Sequence, residues 1–168
     1  VTNRKGYQFH ANGALYLPGI LPTHSIALTG AFIKRDTSQV LFGSAFANAR
    51  GYADYYNTNA GSRMWRLSAN YHFPLWMPDW GFGNILYIQR IRANAFYDYQ
   101  RLYSNDKTLT LNQRSFGGEF FADTKWWNQY NLTFGIRISH LQNDDPLAQI
   151  AKGINIIEFI LPVSIIPK

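Results

Sequence analysis

The 168 residues are enough for one ordinary domain, 46% apolar and 17% aromatic, but with only 15% charged residues. So few charges argue against disorder and against a well-solvated soluble surface. The net charge of +6 is scattered singly, not gathered into the basic stripe that nucleic acid needs. Cysteine is absent, which removes disulfides and thiolate metal sites.

The opening VTNRKGYQFH has no apolar core of a signal peptide, and no stretch reaches the roughly 18 apolar residues of a membrane helix. A membrane β-barrel escapes these exclusions, because alternation hides its hydrophobicity from hydropathy averages.

In chain order, Tyr7, Phe9, Ala11, Gly13 and Leu15 alternate with Gln8, His10, Asn12 and Ala14, the period-2 pattern of a strand. A short connection (17–23) leads to a second strand, about 24–34, with Ile26, Leu28, Gly30 and Phe32 on one face. Residues 36–62 form a long segment, in which Val40, Phe42 and Ser44 could carry a further strand. The third strand, Trp65–Phe73, is the clearest. Trp65, Leu67, Ala69, Tyr71 and Phe73 make one apolar face, and Arg66, Ser68, Asn70 and His72 the polar one.

The compact turn PLWMPDWGFGN (74–84) precedes a fourth strand, Ile91–Tyr99, and then a long polar connection, 101–113. A fifth strand spans Ser115–Ala122, followed by the short KWWNQ (125–129). The sixth strand is Leu132–Ile138. Its long polar successor, 142–153, leads to a seventh strand at Ile157–Val163.

Short and long connections alternating in this way predict an all-β, antiparallel up-and-down transmembrane β-barrel in a bacterial outer membrane, with short turns facing the periplasm and long loops outside. Trp76, Trp80, Trp126 and Trp127 fall in the short turns, where indole rings would form an aromatic girdle at the headgroups. A soluble β-sandwich also alternates, but its outer face carries Lys and Glu; here the polar face holds Asn, Ser, Gln, His and Arg. By parity Arg66, Asn70, His72, Arg90, Arg92, Asn94, Glu119 and Arg137 are expected to line the lumen. Seven is an odd number of strands, whereas single-chain barrels close with even numbers. Residues 1–168 are therefore expected to be the C-terminal seven or eight strands of a larger barrel, completed by N-terminal strands and a periplasmic domain.

The string FANARGYADYY (46–56) places Arg50 in the longest loop. Its guanidinium can be solvated outside, or the loop can fold into the lumen, where it needs a partner to offset desolvation. Asp98 is the one carboxylate in the row Arg90, Arg92, Asn94, Phe96, Asp98 and Gln100, and Phe96 supplies a ring beside it.

Arg50-Gly51-Tyr52, the run LSANYHFPL (67–75) and Phe96-Tyr97-Asp98-Tyr99 together resemble the C-terminal barrel region of the bacterial surface antigen superfamily, which contains the barrel-assembly insertases and two-partner-secretion transporters. The longer phrase NYHFPLWMPDWGFGNILYIQRIRANAFYDY looks like barrels of Bacteroidota. The resemblance implies that an Arg-Gly-Phe/Tyr tip folds inward and that its Arg meets a Phe-x-Asp-x-Gly motif on the wall two strands later. Carried onto this chain, the latch is Arg50, Gly51 and Tyr52 on Phe96 and Asp98, with Gln100 where the family usually has Gly. The chain also ends Pro167-Lys168, without the terminal aromatic residue common in outer-membrane proteins. The resemblance implies protein insertion or translocation, or a scaffold for a periplasmic domain. Outer-membrane lipid and other subunits of an outer-membrane complex are the expected partners, and nucleic acid is not. A passive or selective, porin-like channel and an outer-membrane barrel enzyme are the alternatives.

Catalytic signals are sparse. No G-x-S-x-G elbow and no His-x-x-x-His spacing occurs, so neither a cofactor nor a metal is expected. His140 with Asp144 or Asp145 is the best catalytic-looking pair.

Overall fold

The computed structural model describes residues 6–36, 48–52, 61–104, 110–146 and 148–161. These form one antiparallel sheet of eight strands: β1 Gln8–Pro18, β2 Ser25–Arg35, β3 Gly61–Trp76, β4 Trp80–Phe82, β5 Leu86–Ser104, β6 Thr110–Trp126, β7 Tyr130–Leu141 and β8 Asn155–Ile160. Neighbours follow chain order, β1-β2-β3-β5-β6-β7-β8, and the short β4 pairs with β5 beyond the end of β3. Among the described residues the sheet is not closed, and β1 and β8 are its two edges. No helix of the described residues is long and apolar enough to cross a membrane.

The alternation fixes the register. Leu67 stands opposite Gly30 and Tyr99, and its neighbour Ser68 opposite Thr29 and Asp98. Slipping by one residue would put Leu67 among the ion pairs and Ser68 among the rings, so one register wins. Three irregularities interrupt it among the described residues, at Ser62 and Leu75 in β3 and at Gln89 in β5.

Strands run further than apolar alternation suggests. Gln100 pairs with Gln113 and Arg101 with Asn112, so the ladder continues through most of 101–113 and only 105–109 separates β5 from β6. Backbone hydrogen bonds carry a ladder that side-chain polarity would have marked as loop. The possible strand around Val40–Ser44 lies outside the described residues.

The tight turn after β6 holds Trp127 and Asn128 at positive φ (47° and 55°). The amide of Gln129 donates to the Trp126 carbonyl, and that of Trp127 to the Ile85 carbonyl of the neighbouring turn. Positive φ strains a bulky side chain such as Trp127, and these two hydrogen bonds hold it there.

Burial is inverted relative to a soluble domain. One face of the sheet leaves Leu67 (54%), Phe120 (49%), Ile136 (47%) and Phe159 (63%) exposed, while Asp98, Gln100, Ser115 and Ser139 on the other face are fully buried. Among the described residues, buried apolar side chains cluster in two small groups on the polar side. Ala49, Tyr52 and Leu141 pack with Ile150 and Ile156, and Met64 and Leu102 pack with Leu111.

Candidate functional site

The segment 48–52 sits against the polar face, and two glycines let it approach. Gly51 has φ +84°, and a Cβ there would fall 2.9 Å from both Leu141 Cδ2 and Ser139 Cβ, so both backbone and space call for glycine. Gly117 lies opposite Phe96 across β5 and β6. A Cβ on it would run into the carbonyl oxygen of Ile138 and come within 3.0 Å of Phe96 Cζ, so the Phe96 ring occupies the space a side chain would take.

Arg50 lies with its guanidinium carbon 3.8 Å from the centroid of that ring. Its Nε donates to Asp98 Oδ2 at 2.8 Å, its Nη2 to Asp98 Oδ1 at 3.0 Å, and its backbone amide also to Oδ2 at 3.0 Å. The same Nη2 lies 2.6 Å from Asn70 Oδ1 and 3.0 Å from Ser68 Oγ, and Nη1 lies 3.3 Å from Glu119. Asp98 further accepts from the Ser68 hydroxyl and from Arg66 Nη2 at 3.1 Å. A bidentate pair whose remaining lone pairs are also filled is the geometry in which a buried ion pair survives desolvation.

The network extends along the sheet. Glu119 accepts from Asn94 at 2.8 Å and from Arg137 Nε at 2.6 Å, and Arg137 Nη1 reaches Glu158 at 3.2 Å. Three guanidiniums (Arg50, Arg66, Arg137) thus face three carboxylates (Asp98, Glu119, Glu158). Burial pulls the Arg50 pKa down, but the hydrogen bond and charge of Asp98, with Glu119 behind it, outweigh this and hold it above its ordinary value.

Gln100 stands where the resemblance leads one to expect glycine, and it too binds the loop. Its carboxamide oxygen accepts from the Ala49 amide at 2.9 Å, and its nitrogen donates to Asn48 Oδ1 at 2.8 Å. Tyr52 closes the other side. Its hydroxyl lies 2.8 Å from the carbonyl of Arg114 and 3.2 Å from that of Asn143, and both residues' amides point back to it. Burial pushes the Tyr52 phenol pKa up, against hydrogen bonds from Asn143 and Arg114 that pull it down.

All eight residues expected to line the lumen share this polar face by register with Asp98. Arg90 and Arg92 form a separate group toward the short turns, both on Asp123 at 2.5 and 3.1 Å, with Arg92 4.5 Å from the Phe121 ring. The tryptophans pair at the same end: Trp76 with Trp80 at 4.7 Å between centroids, and Trp126 with Trp127 at 5.7 Å. Asp123 and Glu158 join the charged row beyond the residues expected from the sequence; continuing the parity of Glu119 by four residues reaches Asp123. The role of Gln100 carries no pattern signal, because it depends on a loop 51 residues away in sequence.

The His140–Asp pair is not assembled. His140 Nδ1 lies 2.8 Å from Asn155 Oδ1 and its ring lies tilted against that of Phe116, 4.9 Å between centroids, while the Asp144 and Asp145 carboxylates accept from the Lys152 and Ala148 amides. Among the described residues no group of three His, Asp or Glu is placed to hold a metal. A cavity of about 970 Å³ remains beside Arg50, bordered by Asn12, Tyr16, Asn70, Glu119 and Glu158. The arrangement is suited to immobilising a loop against a sheet. Compared with known proteins, the chain matches no family model, no curated protein and no solved structure.

Proposed function

We propose that this chain is a segment of an outer-membrane β-barrel of the surface antigen type, which serves protein insertion or translocation, or holds a periplasmic domain at the membrane. The observation that carries this reading is the inverted sheet, with apolar side chains exposed on one face and a loop arginine in a closed ion-pair network on the other. A soluble sheet buries the first kind of face and exposes the second. In a barrel the bilayer covers the apolar face and the lumen encloses the polar one. Apart from the short β4 and β8, the shortest strands have 11 residues, which at about 3.3 Å per residue gives about 36 Å, enough for a tilted crossing of a roughly 25 Å apolar band.

In this reading Arg50, Gly51 and Tyr52 are the tip of an external loop latched to Phe96, Asp98 and Gln100 on the lumen wall. The Trp76–Trp80 and Trp126–Trp127 pairs anchor the short turns among headgroups on the periplasmic side. Further strands pair with the edges at β1 and β8.

The test uses the full-length protein in proteoliposomes and a urea-unfolded outer-membrane protein as client. An insertase accelerates client folding over empty liposomes, and Arg50→Ala changes that rate. No acceleration removes the insertion role and leaves the scaffold.

The cavity beside Arg50 favours a second reading, a channel. Planar-bilayer recordings separate the two: steady conductance without client supports the channel, and conductance appearing only in Arg50→Ala supports the latched lumen.

A further inference from the structure

A second polar site lies apart from the loop, toward the short turns. A cavity of about 380 Å³ is bordered there by Thr23, His72, Pro74, Met77, Arg90 and Arg92. Two of the register shifts in the sheet flank it. Leu75 interrupts β3 just after Pro74, and Gln89 interrupts β5 just before Arg90. Bulges re-aim the side chains beside them and recur next to binding sites.

The charges there do not balance. Arg90 and Arg92 share one carboxylate, Asp123, whose Oδ1 also accepts from the Thr133 hydroxyl at 2.8 Å. Beyond its Nε, the Arg90 guanidinium has no acceptor among the described residues. Arg92 is held in place by its contact with Phe121, with its planar fork fixed before any ligand arrives. By contrast, the Arg50 network sets three guanidiniums against three carboxylates.

We infer that this cavity binds the oxyanion of a phosphate ester. Two guanidiniums converging from one strand, with one net positive charge, match a multi-oxygen anion that accepts several donors at once. Thr23 adds a hydroxyl at the rim, and the Pro74, Met77 and Ala93 walls give an apolar bed for the organic part of the ester. The phosphate can come from a lipid headgroup or from a soluble ester, and the same donors serve both.

The inference does not depend on the insertion reading. Full-length protein in detergent micelles free of phospholipid is titrated with inorganic phosphate and with a short-chain phosphatidic acid, binding being followed by native mass spectrometry. Saturable binding of at least one probe is expected, weakened about tenfold or more by the double variant Arg90→Gln, Arg92→Gln. Met77 is 57% exposed in the turn, so Met77→Glu sets a negative charge at the rim without touching the sheet and is expected to weaken binding several-fold even if the arginine variants fail to fold. Phosphatidic acid binding that inorganic phosphate does not compete away assigns a lipid headgroup, and equal competition assigns a soluble anion. No saturable binding of either probe, unchanged binding in Met77→Glu, or displacement by an acidic peptide but not by phosphate would overturn the site.

Discussion

Gln100 accepts the Ala49 amide and donates to Asn48 Oδ1 from a fully buried position on β5. A glycine there would let the loop come closer but would take away the acceptor of the Ala49 amide and the carboxamide donor to Asn48 Oδ1. Each buried group left without a partner costs about 1–3 kcal/mol. Gln100→Gly is therefore expected to lower hydrogen-exchange protection of the Ala49 and Arg50 amides by one to two orders of magnitude while leaving the β5–β6 ladder protected. Unchanged protection would mean that Arg50 alone holds the segment.

The Arg50–Asp98 pair makes an asymmetric prediction. Asp98 serves two guanidiniums, one backbone amide and the Ser68 hydroxyl, so Asp98→Ala strands more groups than Arg50→Ala, which leaves Asp98 with Arg66 and Ser68. Removing one partner of a buried pair costs about 3–5 kcal/mol. Asp98→Ala is expected near the upper end of that range and Arg50→Ala below it, by urea unfolding in micelles. The double variant should cost less than the sum of the two. Equal and additive losses would show that the two side chains act separately.

Much of this was legible in the residues themselves. Trp65–Phe73 states both faces of β3 without ambiguity, because every odd position is apolar and every even one polar. Arg50 could be matched to Asp98 because Asp98 is the one carboxylate in the row from Arg90 to Gln100. What the sequence hides is anything that depends on backbone pairing alone. The ladder runs on through Arg101–Ser104 and Thr110–Gln113, where polar side chains look like loop, and the bulge at Gln89 breaks parity where Arg90 begins. The contact between Gln100 and Ala49 depends on tertiary folding and leaves no periodic trace.

Two glycines on neighbouring patterns should respond oppositely. Gly117→Ala forces a methyl group into the Ile138 carbonyl and the Phe96 ring, and backbone cannot yield as a flexible side chain does. A loss of about 1–3 kcal/mol or more is expected. At Gly13 a Cβ meets nothing within 4 Å, so Gly13→Ala should be neutral or slightly stabilising. Similar effects at both sites would contradict the packing of Phe96 over Gly117.

Tyr52 gives the loop a pH dependence. Burial raises its phenol pKa in the folded state, so its stabilising contribution is complete below the unfolded value of about 10 and is lost as pH rises through the folded value. Protease protection of residues 48–52 should therefore be flat from neutral pH to about 9 and fall above about 10. Tyr52→Phe keeps the ring and removes the ionisation, so it should abolish the alkaline fall. A fall that persists in Tyr52→Phe would assign it to another group.

The most direct measurement of the account is which face of the sheet meets lipid. The chain has no cysteine, so single cysteines can be introduced one at a time at Leu67, Ser68, Ala69, Asn70 and Tyr71, spin-labelled, and read in liposomes with oxygen and a water-soluble nickel complex. The account predicts oxygen-dominated relaxation at 67, 69 and 71 and low oxygen access at 68 and 70. Equal access of the nickel complex to both sets, or a chain that stays monomeric in water without detergent, would contradict it.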